Sequence, residues 1–91
     1  MTLMKDLKMG RVYRAVDQLG LYPQREVEGL FSNYIKDGEL LLVLSDVGVV
    51  TSKFYPEGLD VVHVLGPRAH GWLRTMIGST IERFTEEVPV S

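Results

Sequence analysis

The residues best equipped for chemistry crowd into one short stretch, VHVLGPRAHGW, which carries His63, Gly66, Arg68, His70 and Gly71. A histidine held in an apolar run can serve as general base, taking a proton from an incoming ammonium. The same histidine with a single hydrogen bond is simply part of a core. Asp60, just upstream, has the place of a turn or edge residue. His63 and His70 stand seven residues apart with no carboxylate at ligand spacing, which makes a poor zinc site. Ser32, Ser45, Thr51, Ser52 and Ser79 lack the G-x-S-x-G setting of a nucleophile elbow. The glycines form neither a Walker loop nor a dinucleotide fingerprint. With no Cys in the chain there is no thiolate nucleophile and no disulfide framework.

The elements that must position this stretch follow from the apolar spacing. Leu59, Val61, Val62, Val64 and Leu65 form a nearly continuous run, interrupted by Asp60 and His63, that suits a strand over 59–65 covered on both faces. Gly66-Pro67 ends it, since Pro cannot donate to a ladder. Beyond the turn, Ala69, Trp72, Leu73, Met76, Ile77, Thr80, Ile81 and Phe84 fall at i, i+3, i+4 spacing, which predicts a helix over 68–87. Met9, Val12, Tyr13, Val16 and Leu19 predict a first helix over 5–19, with Gly20 as its stop. Pro23 opens a second over 23–37, whose apolar face is Val27, Leu30, Phe31, Tyr34 and Ile35. The period then changes. Residues 39–46 and 49–55 read as strands, with a hairpin turn at Asp46-Val47-Gly48. The expected fold is thus α+β, in the order ααβββα, with a three-stranded antiparallel meander flanked by helices in a single domain over 1–91. Its last strand has no neighbour, so Leu59, Val61, His63 and Leu65 are candidates for an exposed, partner-binding edge.

Composition narrows the function classes. Net charge is −2, 24% of residues are charged and 45% are hydrophobic. This is ordinary globular composition, without the basic excess of a nucleic-acid binder. No run approaches the ~18 apolar residues of a membrane span. Lys5, Lys8, Arg11 and Arg14 make the first segment locally basic, either a solvated face or a match for an acidic patch on a partner. Glu82, Glu86 and Glu87 make the last segment acidic. Tyr13, Tyr22, Tyr34 and Tyr55 are residues of the kind that interfaces use. The expectation is a cytoplasmic protein with a protein partner or a homo-oligomer, no nucleic acid and no membrane contact.

The element order, together with GVVTSKFYP, LDVVHVLG and GWLRTMIGSTIERF, resembles the N-terminal two-thirds of the GNAT acyltransferase fold, in particular the divergent GNAT-like proteins of bacteriophages. That resemblance implies a phosphate-binding turn after the strand over 59–65. Gly66, Arg68 and Gly71 would then hold the pyrophosphate of acetyl-CoA, with His63 as base. Leu73 stands where the family has a small residue, and the chain stops short of the family's later strands. Two functions follow. One is a non-catalytic, phage-encoded interaction module without cofactor, a virion component or an inhibitor or effector of a host protein, binding through its sheet edge or as an oligomer. The alternative is an N-acyltransferase whose cleft is completed by a second subunit. A helix-turn-helix over 8–37 is disfavoured by the acidic balance.

Overall fold

Each of the three stretches expected to be helical contains a glycine in a conformation that breaks a helix. In the computed structural model, which describes residues 1–78 and 80–89, Gly10, Gly29 and Gly78 have φ of +84°, +82° and +63°. Such values are open to glycine and incompatible with a continuing right-handed helix. The helices over 5–19, 23–37 and 68–87 do not form, and the α+β ααβββα architecture is replaced by an almost entirely β chain. Its one helical element among the described residues is a single 3-10 turn, Met4–Asp6. Ser79, Val90 and Ser91 lie outside the described residues.

The strands are β1 (Thr2–Leu3), β2 (Val12–Ala15), β3 (Leu19–Leu21), β4 (Asn33–Ile35), β5 (Leu40–Val43), β6 (Gly48–Val50), β7 (Leu59–Leu65), β8 (His70–Arg74), β9 (Met76–Ile77), β10 (Ile81–Glu82) and β11 (Phe84–Glu87). Every pairing between them is antiparallel. The main sheet runs β1-β11-β2-β5-β7, with β8 on the far side of β7. β3 and β4 make a two-stranded sheet, and so do β9 and β10. Tyr22, just after β3, exchanges both backbone hydrogen bonds with Trp72 of β8, each at 2.9 Å. Because residues 16–18 join β2 directly to β3, this bridge closes the circuit β2-β5-β7-β8-β3 around one interior. The interior holds Tyr13, Leu21, Ile35, Leu41, Val43, Val62, Val64 and Leu73, all fully buried.

Two-residue periodicity decides which side chains enter that interior. Tyr13 and Ala15 point in from β2, and Leu19 and Leu21 from β3. In β8, Gly71 and Leu73 are buried, while His70, Trp72 and Arg74 alternate outward. β7 is the expected strand at its expected bounds and is covered on both faces along much of its length. Val62 and Val64 face the main core, while Val61 joins Val27 and Val50 in a smaller cluster on the outer face.

Two expectations about β7 are corrected by its neighbours. The segments 39–46 and 49–55 do not pair as a hairpin. β5 and β6 instead run in the same direction along one side of β7, where Val43 faces Val64 and Gly48 faces Val61. Five steps along one strand therefore match three along the other, and two extra residues are absorbed in a bulge. The Ser45 hydroxyl accepts the His63 backbone N–H inside that bulge, at 3.0 Å. β8 occupies the other side of β7 from Val61 to Leu65. The expected free edge at Leu59, Val61, His63 and Leu65 is therefore closed along its length, and Val61 is wholly buried.

The acidic and basic ends meet each other. Arg11 donates to Glu87 at 2.7 Å, Arg14 lies 3.9 Å from Glu86 and Lys5 lies 3.6 Å from Glu82. The acid matching the basic segment thus comes from the same chain, although such exposed pairs contribute little stability. No helix among the described residues is long and apolar enough to cross a membrane.

Candidate binding cleft

The phosphate-binding turn implied by the acyltransferase resemblance needs a helix start, and β8 stands there instead. Its three residues have other work. Gly66 closes the β7–β8 turn by donating its N–H to the Ala69 carbonyl at 2.9 Å, and its Cα packs on Ile35, 2.9 Å from where a Cβ would lie. Gly71 sits opposite Val64 in the ladder, where β3 passes closest to β8. Arg68 grips Glu39 through two hydrogen bonds, at 2.8 and 2.6 Å, and also donates to the Tyr34 carbonyl at 2.6 Å. That fork-on-fork geometry ties the β7–β8 turn to the β4–β5 turn.

Arg68, helped by the Lys36 backbone N–H, holds the Glu39 carboxyl down to about 2 from the usual 4.5. The native state therefore binds this proton less readily than the unfolded chain. The resulting stability is fully present above about pH 4.5 and is lost as pH falls towards 2. Melting curves between pH 6 and 2 should show a steeper acid loss for the native protein than for Glu39→Gln, and parallel curves would contradict the clamp.

His63 and His70, distant in sequence, are brought together by the β7–β8 register. His63 Nε2 lies 3.1 Å from His70 Nδ1, and the His63 ring stacks on Trp72 with centroids 4.5 Å apart and planes 11° from parallel. Burial, and then the charge of His70, push the His63 pKa below its ordinary value. No third His, Asp or Glu among the described residues joins the pair in a group able to hold a metal ion. His70→Ala should move the His63 titration partway back towards 6.5, the remainder being due to burial, as followed by imidazole NMR shifts. An unmoved midpoint would show that the two rings do not interact.

A concavity lined by aromatic side chains lies one strand over. Gly20, in the middle of β3, leaves space that Phe31 fills, with ring atoms 2.4 Å from where a Cβ would stand. Phe31 then packs between Tyr22 and Tyr34, at centroid distances of 4.7 and 5.6 Å and tilts of 55° and 61°. These tilted and edge-on contacts are favourable for aromatic rings. Together with Gln18, Met76 and Ile77 they line an open cleft of about 340 Å³. Arg74 and Arg83 complete its lining. Arg83 donates to the Arg74 carbonyl at 2.7 Å, and Arg74 lies with its guanidinium carbon 5.0 Å from the Tyr55 ring centroid.

No family model matches the chain. No curated protein and no solved structure matches it either. The cleft must therefore be read from its own chemistry. Sequence reasoning noted Tyr22 and Tyr34 as interface-type residues and placed Phe31 on a helix face. It missed Arg74 and Arg83, which fall within the expected helix over 68–87. The one local signal for the break between them was Gly78-Ser79-Thr80, a run of weak helix formers.

Proposed function

We propose that the protein is a non-catalytic interaction module that takes a side chain or chain end of a partner protein into the Tyr22–Phe31–Tyr34 cleft. The observation that carries this reading is the cleft itself. Three large aromatic side chains remain partly uncovered around one concavity, and Phe31 and Tyr34 are each more than 40% exposed. Aromatic anchors in a preformed cleft are the usual core of a protein-recognition surface. The tied position of Arg68 and the strand at 70–74 speak against acetyl-CoA chemistry at the sequence-derived site.

The test is selection of binding peptides from a displayed random library, followed by backbone NMR mapping. Selected peptides should shift Tyr22, Phe31 and Tyr34, and Phe31→Ala should weaken them by about tenfold or more. Peptides that map elsewhere, or an unchanged affinity in Phe31→Ala, would overturn the reading.

A further inference from the structure

The cleft is lined by two arginines without an ion pair among the described residues, and Arg74, which lies against the Tyr55 ring, also lines a second concavity with Glu57 and Asp60. Arg83 is partly buried, and its guanidinium is held below its ordinary value first by burial and then by the charge of Arg74. Asp17 offsets part of this from a distance, but among the described residues neither Arg74 nor Arg83 has an ion pair. The Arg74 Nε–H is buried with no hydrogen-bond partner among the described residues. Arg11 and Arg68, by contrast, bond carboxylates and Arg14 has Glu86 nearby, while the exposed Arg25 reaches only the Val49 carbonyl, at 3.5 Å. Two neighbouring guanidiniums, one with an orphaned buried donor, are costly unless something negative sits against them. The aromatic side of the same cleft offers no such group.

We infer that Arg74 and Arg83 make one side of this cleft an oxyanion site, so that its occupant carries a carboxylate or phosphate on an aromatic or aliphatic body. This rests on the reading of the cleft as the binding site and adds the charge of what binds there. Guanidinium forks match planar and tetrahedral oxyanions, and the aromatic rings receive the apolar body beside them. The site is a single pocket in a chain of net charge −2, not a basic stripe, which suits an acidic protein segment and not a nucleic-acid backbone.

The experiment titrates the full chain with benzoate, phenyl phosphate and neutral benzyl alcohol, following backbone amides and the arginine Nε–H signals by NMR. The two anions should shift the Arg74 Nε–H resonance and bind about tenfold or more tightly than benzyl alcohol, as expected for charge-assisted bonds. Arg74→Gln should remove that advantage while leaving the weak binding of benzyl alcohol. Arg83→Lys, which keeps the charge if Arg83→Gln fails to fold, should reduce it. Preference for benzoate would identify an acidic side chain or chain end as the source, and preference for phenyl phosphate a phosphorylated one. Equal binding of all three probes at the cleft would overturn the oxyanion site while sparing the aromatic cleft. No binding by any probe would overturn both.

Discussion

Gly71→Val should cost about 3 kcal/mol of folding stability, measured by urea denaturation. A Cβ at position 71 would lie 2.8 Å from Leu21 Cβ and 3.0 Å from the Tyr22 carbonyl oxygen. The side chain could give a little. The carbonyl cannot, because it accepts the Trp72 N–H at 2.9 Å in the bridge that closes the barrel-like circuit. Overpacking here therefore pushes β3 away from β8 and does not merely crowd a rotamer. Gly71→Ala, which adds the clashing atom alone, should already cost about 1–2 kcal/mol. Gly48→Ala is the matched control, since its nearest neighbour would be the tip of Arg25 at 3.4 Å. A Gly71→Val protein as stable as the control would mean that β3 and β8 do not approach each other as described.

Leu73→Ala should cost about 3 kcal/mol, from lost burial and the cavity left behind. Ile77→Ala, four residues on, should cost no more than about 0.5 kcal/mol, as surface changes do. The contrast is the informative part. A helix over 68–87 would put Leu73 and Ile77 on one buried face, one turn apart. In the strand arrangement Leu73 is fully buried and Ile77 is 54% exposed, on the short β9–β10 hairpin. Similar losses for both variants would restore the helical reading.

The reason the helices were expected lies in a coincidence of periods. Apolar residues at 72–73, 76–77 and 81 recur about every four residues, which a helix also requires. Here the repeat arises from separate short strands divided by Thr75 and Gly78. Periodicity cannot distinguish these cases when each strand is only two to five residues long. The interior glycines could have done so, since Gly10, Gly29 and Gly78 each fall near the middle of a supposed helix. β7 was legible because five of its seven residues are Val or Leu, too short and too β-rich a run to admit much else. The β7–β8 turn was legible from Gly66-Pro67. The cleft was not, because Gln18, Tyr22, Phe31, Tyr34, Arg74 and Arg83 come from distant points and meet through tertiary contacts such as the Tyr22–Trp72 bridge, the β3–β4 pairing and the Arg83–Arg74 hydrogen bond. No local pattern records a meeting of that kind.

The position of β11 sets the order of assembly. It lies between β1 and β2, pairing Thr85 with both Thr2 and Ala15. The chain's earliest strands therefore wait for nearly its last one, and loop closure over some seventy residues precedes the gain from that pairing. Such long-range topology places folding in the range of milliseconds to seconds, not microseconds. During synthesis, β2 would emerge with one edge unpaired until residues 84–87 had left the ribosome, its backbone N–H and C=O groups open to pairing with the wrong strand.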